Sequence, residues 1–238
     1  MKSQSTKIWV IVPSAGSGQR MRQSIPKQYL PLNGKTVIEI TLATLFSNAS
    51  INKIIICCAA NDEHWPSLAC ANDERVETVI GGETRAHSVL NGLMSLQSRA
   101  SDDDWVLVHD AARPCLTAQT LQSLIEQLSG DAVGGILAVK SNDTVKLAAK
   151  DKLSDVQIGR TLNRDEIWYA QTPQMFRYGL LKNALQQALE SELLITDEAS
   201  AMEMAGYHPR LIEGERSNFK ITQPEDLKMA ELVWQSLE

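Results

Sequence analysis

The sequence predicts an α/β protein of three layers, in which helices cover both faces of a mostly parallel, twisted sheet. Short β-branched runs bounded by turn residues alternate with longer segments whose apolar residues recur with helical period. The chain has 238 residues, of which 43% are hydrophobic and 22% are charged, as in ordinary globular proteins. No linker or low-complexity segment divides it, so we expect a single domain over residues 1–238.

The strands are expected where β-branched and apolar residues are concentrated between turn signals. Each of the first five is followed by turn-like residues, which is typical of strands that lead into helices. The expected strands are residues 8–12, 53–59, 76–80, 105–109, 134–139 and 209–212.

Helices are expected between these strands, where the apolar residues share one helical face. In the first of them, Ile38, Leu42 and Leu45 fall on the same face. Pro224 is typical of the first turn of a helix and begins the closing one. The expected helices before the closing one are residues 36–46, 84–96, 117–128, 178–189 and 197–205.

Residues 140–169 break this alternation, because they contain neither a clear core strand nor an amphipathic helix. Two alternating stretches, 144–147 and 156–158, predict a protruding two-stranded β-arm. Such a hairpin is not stable alone in water, so it is expected to pack on another surface. A second subunit is the economical candidate and predicts a homodimer, whereas decoration of the protein's own surface is the alternative.

The overall charge excludes several classes of partner. A net charge of −6 and a pI near 5.3 argue against a general nucleic-acid or membrane-surface binder, which needs a basic face. The polar start, residues 1–7, lacks the apolar core of a signal peptide, and no run approaches the roughly 18 apolar residues of a membrane span. We therefore expect a cytoplasmic protein.

The cysteines and histidines do not form a metal-binding pattern. Cys57 and Cys58 lie inside an apolar, strand-like run, and Cys70 and Cys115 are isolated, so buried thiols are expected. The four histidines are scattered and have no paired cysteine, which argues against a zinc site. A hard cation on carboxylates remains compatible with the sequence.

The loop after the first strand indicates a polyphosphate site. Gly16 and Gly18 lack Cβ atoms, so successive backbone N–H groups can turn towards an anion. Arg20 and Lys27 add full positive charges beyond this loop. Positioned cations stabilise a phosphorus in transit between two oxygens, which carries extra negative charge. The alternative is that small residues only make a tight turn here.

Further polar clusters follow other strands. In a parallel sheet the carboxyl ends of the strands share one edge, and ligands bind there. Residues 14–20, 81–85 and 109–114 are expected at this edge, together with the region that ends in Lys220. The sequence therefore predicts one composite site.

The second cluster predicts a turn that recognises a base. Gly81 and Gly82 let the chain pass close to a flat ligand, while Glu83 and Ser88 are available to hydrogen-bond its edge. The alternative is an ordinary helix start, with Thr84 near the cap and Glu83 favouring the helix dipole. The two interpretations are compatible.

The third cluster carries a candidate metal ligand. Asp110 follows the apolar run 105–108, where a carboxylate is well placed to hold Mg²⁺ that bridges phosphates. Arg113 offers a planar fork for a second anionic group, or alternatively an ion pair with Asp110. His109 ends a buried strand and is interpreted as a core residue without a chemical role.

Taken together, these motifs closely resemble those of the 2-C-methyl-D-erythritol 4-phosphate cytidylyltransferases, and the match runs nearly end to end. The Gly-x-Gly-x-Arg-Met loop is shared by sugar-nucleotide pyrophosphorylases in general, whereas His-Asp-Ala-Ala-Arg-Pro and Asn-Phe-Lys-Ile-Thr are more specific. The motifs are Pro-Ser-Ala-Gly-Ser-Gly-Gln-Arg-Met at 13–21, Pro-Lys-Gln-Tyr at 26–29, Gly-Gly-Glu-Thr-Arg at 81–85, His-Asp-Ala-Ala-Arg-Pro at 109–114, Thr-Asp-Glu-Ala-Ser at 196–200 and Asn-Phe-Lys-Ile-Thr at 218–222.

The resemblance implies a Rossmann-like nucleotidyltransferase domain that transfers CMP from CTP to 2-C-methyl-D-erythritol 4-phosphate. Pyrophosphate and the diphosphocytidyl product would form in the non-mevalonate isoprenoid pathway, with Mg²⁺ as cofactor. The acceptor phosphate would attack the α-phosphorus in line, without a covalent enzyme intermediate. Some relatives carry a fused cyclase domain, and we expect this chain to be the stand-alone enzyme.

The resemblance also implies roles for individual residues. Arg20 and Lys27 would stabilise the transition state, while Arg164 and Lys220 would orient the acceptor. Asp110 would place the metal and contact substrate together with Arg113, Thr144 and Thr172. Arg164 and the threonines would come from a neighbouring subunit's arm. The nucleotide would be held by Ser14, Ala15, Gly16, Gly18, Gly82, Glu83, Arg85, Ser88 and Ala111.

Three other functions are weighed against this one. A cytidylyltransferase for another polyol phosphate, such as ribitol 5-phosphate, would share the loop and the arm. A nicotinamide oxidoreductase would need a third glycine where Met21 stands and an acidic residue about 20 positions on, whereas Lys27 follows here. A sensor that only binds nucleotide would not need cations that favour the transition state over the substrate.

Overall fold

A seven-stranded mixed sheet forms the centre of the computed structural model, which describes residues 6–16, 21, 25–149 and 156–237. Two further sheets have two strands each. The strands are β1 Ile8–Pro13, β2 Pro31–Leu32, β3 Lys35–Thr36, β4 Ile51–Cys58, β5 Val76–Ile80, β6 Trp105–Val108, β7 Gly134–Lys140, β8 Lys146–Ala148, β9 Ile158–Thr161, β10 Trp168–Arg177 and β11 Arg210–Glu213.

The helices lie on both faces of this sheet, so the predicted three-layer α/β/α class is confirmed. One face is covered by α1 and α3, and the other by α2, α4 and α5. Their bounds are α1 Val37–Phe46, α2 Arg85–Ser95, α3 Ala118–Leu128, α4 Tyr178–Glu190, α5 Glu198–Met204 and α6 Pro224–Leu237.

Every predicted helix is present, and the small differences at their beginnings have a common cause. Thr36, Thr84, Thr117 and Asp197 were expected as first helical residues, but each is an extended N-cap. Their side chains accept hydrogen bonds from backbone N–H groups in the first turn, which have no partner inside the helix. The polar residue that signals the helix thus stands just outside it.

The order of the large sheet is β11-β7-β10-β6-β1-β4-β5. From β1 the chain builds outwards to β4 and β5 on one side and to β6 on the other, all in parallel register. The strand order therefore reverses between β1 and β6. Ligands bind at such a switch point, outside the carboxyl ends of the strands.

The sequence analysis missed β10, the long strand between β6 and β7 that is antiparallel to both. Its centre reads Gln171-Thr172-Pro173-Gln174, and a proline among polar residues argues against a central strand. The three polar side chains are nevertheless buried, because each finds hydrogen-bond partners in the surrounding loops. The pairing of β10 and β7 shifts in register between Ala170 and Gln174.

Within the predicted arm, β8 and β9 form a separate antiparallel pair, with Leu147 opposite Arg160. The outer ends of the segment 140–169 belong to the large sheet, where Trp168 pairs with Lys140. Apolar side chains of the arm face solvent in the single chain: Val156 is 88% exposed and Ile158 is 67% exposed. The arm therefore presents an apolar surface that its own domain does not cover.

The thiols are free, and Cys57, Cys58 and Cys115 are buried as predicted, whereas Cys70 is half-buried. Burial raises the pKa of Cys57 and of Cys58 to about 12, so neither is a thiolate near neutral pH. None of the helices in the described ranges combines the length and the apolar character needed to cross a lipid bilayer.

Candidate active site

A cavity of about 460 Å³ lies at the carboxyl ends of β1 and β6, where the strand order reverses. The structure brings together all four predicted polar clusters in its wall. Predicted site residues in the wall are Ser14, Ala15, Gly16, Lys27, Gly82, Glu83, Arg85, Ser88, Asp110, Ala111 and Lys220.

The side-chain amide of Gln28 anchors the loop after β1. The buried Gln28 amide donates from Nε2 to the Ser14 carbonyl at 2.8 Å and to the Gly16 carbonyl at 3.5 Å. Sequence reasoning gave Gln28 no role, although it directly follows the predicted cation Lys27. Gly18 and Arg20 lie outside the described residues.

Lys27 lies in the cavity wall and joins two distant parts of the chain. It begins a short 3-10 helix, and its Nζ donates to the Ile221 carbonyl at 2.8 Å. Ile221 follows Lys220, so this bond draws the segment after β11 towards the loop after β1. Two predicted cations thereby reach one cavity from positions 193 residues apart.

The turn between β5 and α2 approaches the loop after β1 very closely. A Cβ atom on Gly81 would lie 2.6 Å from Ala15 Cβ and 2.8 Å from Ser88 Oγ. The Ser88 hydroxyl accepts from the Gly82 N–H at 3.0 Å and donates to the Thr84 carbonyl at 3.0 Å. Thr84 also caps α2, so the turn is a helix start and a cavity wall at once.

Asp110 is the centre of an ion cluster at the end of β6. Its Oδ1 accepts from Arg85 Nε at 3.0 Å, and its Oδ2 accepts from Arg113 Nε at 3.2 Å and from Lys220 Nζ at 2.9 Å. Burial by itself would raise the pKa of Asp110, but the attraction of these three cations holds it well below its usual range. The carboxylate is therefore ionised at neutral pH.

Arg113 makes the ion pair that was weighed as the alternative to anion binding. Besides Asp110, its guanidinium donates from Nη1 to the Asn218 carbonyl at 2.7 Å. Thr172 is buried on β10, where its hydroxyl accepts from the Asp110 N–H at 3.0 Å. Both residues thus contact Asp110 of their own chain, so the expectation that Thr172 comes from a neighbour's arm is wrong. Contact of either residue with substrate stays a prediction.

The structure places Arg164 and Thr144 in the arm rather than in the cavity wall formed by the described residues of one chain. Arg164 Nη1 donates to the Asn142 carbonyl at 3.0 Å, and both side chains are exposed. Their role in the site of a neighbouring subunit stays a prediction.

Sequence reasoning missed Glu198, which it interpreted only as an early acidic residue of a helix. Its side chain is fully buried, and it accepts two bonds from the Arg85 guanidinium, at 2.6 Å from Nη1 and 3.0 Å from Nη2. The predicted helix start is present too, with Asp197 and Ser200 forming a capping box. The only signal in the sequence was its place in the motif at 196–200.

Magnesium stays a prediction, and its predicted ligand, Asp110, lies in the cavity wall. No group of three or more His, Cys, Asp or Glu side chains suited to a metal occurs among the described residues, which argues against an all-protein cage there. A carboxylate has about four lone-pair positions, of which Asp110 uses three for its cations. Mg²⁺ usually binds one or two carboxylates besides substrate phosphates and water, so the remaining position fits it.

His109 is a fully buried neutral histidine, as its interpretation as a core residue predicted. The Thr172 hydroxyl accepts from the Asp110 N–H and forms a hydrogen bond of 3.0 Å with His109 Nδ1, whose direction depends on the histidine tautomer. Burial lowers the pKa of His109 from 6.5 to about 3. Between these values the unfolded chain binds a proton that the folded protein does not.

We expect this histidine to make the folded protein sensitive to acid. The free energy of unfolding should fall by about 1.4 kcal/mol for each pH unit below about 6.5 through this proton. His109→Asn keeps an acceptor near Nδ1 but removes the titration, so its urea midpoint should depend less steeply on pH between 7 and 4. His208→Asn, at an exposed position, serves as control; equal slopes for the two variants would contradict the assignment.

The comparisons with known proteins agree with this geometry. A family model described as 2-C-methyl-D-erythritol 4-phosphate cytidylyltransferase matches residues 8–236. The chain is similar to the protein of that name from Pseudomonas aeruginosa PAO1, with 50% identity over 220 residues and 92% of each chain covered. The corresponding Pseudomonas fluorescens SBW25 protein is 47% identical over 235 residues, with 98% of each chain covered.

A solved structure shows the same similarity in three dimensions. The crystal structure of the Francisella tularensis 2-C-methyl-D-erythritol 4-phosphate cytidylyltransferase superposes with a TM-score of 0.81 at 39% identity. The match covers 96% of this chain and 100% of that chain. The chain therefore belongs to the 2-C-methyl-D-erythritol 4-phosphate cytidylyltransferase family.

Proposed function

We propose that this protein transfers the cytidylyl group of CTP to 2-C-methyl-D-erythritol 4-phosphate and releases pyrophosphate. The observation that carries the proposal is the convergence of a backbone loop, a glycine turn and the cations Lys27 and Lys220 on one cavity. A nucleoside triphosphate and a phosphorylated acceptor both need positive charge. The glycine turn supplies a surface for a flat base.

The reaction requires no nucleophile or base from the protein. An oxygen of the acceptor phosphate forms a bond to the α-phosphorus, while the bond from that phosphorus to the bridging oxygen of the β-phosphate breaks. Pyrophosphate leaves with the electron pair. A phosphate monoester is largely ionised at pH 7, so the attacking oxygen carries no proton that must be removed. Catalysis then consists of positioning and of stabilising charge.

Different residues of the cavity position the substrates and stabilise charge. Backbone groups at Ala15 and Gly16 hold the triphosphate, and Lys27 stabilises charge that develops at the α-phosphorus and on the leaving pyrophosphate. Glu83 and Ser88 hold the base edge beside Gly82. Arg20, predicted from the sequence to assist Lys27, completes the cationic side of this assignment.

We assign binding of the phosphate of the acceptor substrate to the cations around Asp110. Lys220 is 31% exposed at its side chain while it holds Asp110, so it is available to a phosphate in the cavity. Mg²⁺, held by the triphosphate and Asp110, would neutralise phosphate charge. Chelation with EDTA should abolish turnover, and added Mg²⁺ should restore it.

Purified protein incubated with Mg²⁺, CTP and one acceptor at a time tests the proposal through release of pyrophosphate. Turnover with 2-C-methyl-D-erythritol 4-phosphate and little with ribitol 5-phosphate is expected. Turnover with ribitol 5-phosphate alone would transfer the assignment to another polyol phosphate. CTP binding without release of pyrophosphate would indicate a sensor.

Gly81→Ala is expected to raise the KM for CTP by roughly 10-fold, because overpacking costs about 1–3 kcal/mol. The new methyl group would collide with Ala15 and Ser88, which approach from two sides, and would displace the loop that holds the triphosphate. Gly130→Ala adds the same methyl group where nothing lies within 4 Å. Steady-state kinetics of both variants make the comparison, and an unchanged KM in Gly81→Ala would refute the close approach.

We further propose a homodimer in which the arm of one subunit brings Arg164 and Thr144 to the site of its partner. The exposed apolar side chains Val156 and Ile158 support an arm that packs on another chain. Arg164→Ala should raise the KM for the acceptor more than that for CTP. Mixed dimers of Arg164→Ala and Lys27→Met subunits should regain activity, since one of their two sites is intact. No recovery on mixing would exclude action across subunits.

A cytoplasmic location completes the proposal. The four free thiols, three of them buried without a disulfide, are typical of proteins of a reducing compartment. Fractionation of cells that express the tagged chain tests this.

A further inference from the structure

Glu198 is a buried acidic residue whose only ion pair among the described residues is with Arg85. It is the first residue of α5, and its side chain is 0% exposed. Gln174 on β10 holds this helix start, because its Nε2 donates to Asp197 and its Oε1 accepts from the Ala199 N–H. The carboxylate is therefore anchored to the strand next to β6, which carries Asp110.

Arg85 divides its three side-chain nitrogens between two carboxylates, those of Glu198 and Asp110. Both terminal nitrogens, Nη1 and Nη2, face the two oxygens of Glu198, at 2.6 and 3.0 Å. Only Nε faces Asp110, and it bonds a single oxygen, Oδ1, at 3.0 Å. The other oxygen, Oδ2, accepts from Lys220 Nζ at 2.9 Å and from Arg113 Nε at 3.2 Å.

The pairing of Arg85 with Glu198 prevents Arg85 from binding both oxygens of Asp110. An arginine fork normally binds a carboxylate through two parallel hydrogen bonds, one to each oxygen. If Arg85 bound Asp110 in that way, it would occupy Oδ2 and compete with Lys220 for it. Glu198 occupies the fork, so Arg85 is left with one nitrogen for Asp110.

We propose that Glu198 is a positioning residue that restrains Arg85 to one oxygen of Asp110 and thereby leaves the other oxygen to Arg113 and to Lys220, which lies at the acceptor side of the cavity. The inference rests on the proposed function for the role of Lys220, but the arrangement of the three side chains is a property of the protein itself. Glu198 touches no reacting atom in this assignment and acts through Arg85 and Asp110.

Glu198→Gln tests the proposal, because glutamine has the same shape but no charge to hold the arginine fork. We expect the KM for 2-C-methyl-D-erythritol 4-phosphate to rise roughly 10- to 100-fold, as for the loss of one hydrogen bond to a charged group. The KM for CTP should rise by a smaller factor, since Arg85 is itself a predicted nucleotide-binding residue in the cavity wall. Glu203→Gln, at an exposed position of the same helix, is the matched control and should leave both values unchanged. Equal effects on both substrates would overturn the proposal.

A second change separates positioning from a merely structural role. In Glu198→Gln with Arg85→Lys, the unpaired cation remains but the fork is lost, so a lysine cannot bind both oxygens in parallel. We expect the KM for the acceptor to return towards the wild-type value. The melting temperature should remain below that of the wild-type protein, because the buried cation is still unpaired. If Glu198 only neutralises a buried cation, neither value recovers, and that result would overturn the proposal.

A crystal structure of the Glu198→Gln variant tests the arrangement without any activity. Arg85 should bind both oxygens of Asp110, and Lys220 Nζ should leave Oδ2; an unmoved Arg85 would contradict the inference even if the wild-type protein is active. Absence of turnover in the wild-type protein would instead count against the proposed function alone. If Glu198→Gln does not fold, Glu198→Asp replaces it in each comparison, since the shorter side chain keeps the charge but cannot meet both terminal nitrogens.

Discussion

Replacing Lys27 with methionine is expected to lower kcat by a factor of roughly 10² to 10³, as for the loss of one donor that stabilises transition-state charge. The Lys27 ammonium lies in the cavity wall and is positioned by the Ile221 carbonyl at 2.8 Å. A donor that is positioned in advance stabilises developing charge without reorganising during the reaction. Methionine keeps the length of the side chain but removes the charge.

Single-turnover rates and CTP binding by calorimetry measure this effect. The affinity for CTP should change less than the rate, because the charge on the phosphate oxygens grows in the transition state. Lys35→Met, at an exposed position of β3, controls for the loss of a lysine from this acidic protein. A rate that is unchanged in Lys27→Met would remove Lys27 from the mechanism.

Asp110→Asn is expected to lower the free energy of unfolding by about 3–5 kcal/mol, the typical cost of breaking a buried ion pair on one side. The Asp110 side chain is only 7% exposed and forms ion pairs with three cations. An asparagine amide would turn donors towards Lys220 or Arg85, which are donors themselves. Turnover should fall as well, because Lys220 would lose its anchor.

The pH dependence of unfolding gives this prediction a distinct signature. The pKa of Asp110 lies below its usual value of 3.8 in the folded protein, so its stabilising effect is fully present above that value and disappears as the pH falls through the lower, native pKa. Urea unfolding of Asp110→Asn should therefore lack this acid-dependent loss. The exposed Asp103→Asn serves as control, and a wild-type midpoint for Asp110→Asn at pH 7 would disprove the role of the ion cluster.

Local sequence patterns were sufficient for most of the secondary structure. The strand runs and the helical faces depend on neighbours in the chain, and the observed helices begin one position after the predicted first residues, which are their polar N-caps. The strand β10 was missed for the opposite reason. Its polar residues Gln171, Thr172 and Gln174 are satisfied by partners far along the chain, and no local pattern records those partners.

The residues of the candidate site were likewise only partly predictable from local sequence patterns. The glycines after β1 and β5 and the carboxylate after β6 were predictable, because parallel strands bring their carboxyl ends to one edge. The role of Glu198 was not, because its partner Arg85 is 113 residues away. Gln28 was likewise missed, since its partners are carbonyl groups of a loop whose path the sequence does not specify.

The α/β class, the edge at which the site lies, and the cations and carboxylate of the site can thus be predicted from local patterns. How these charges are paired depends on the packed fold: Arg85 lies between Glu198 and Asp110, with Lys220 on the second oxygen of Asp110. The two kinds of interaction differ in range. Periodicity and capping act within a few residues, whereas the pairing of buried charges depends on which side chains the packed sheet and helices bring within about 3 Å of one another.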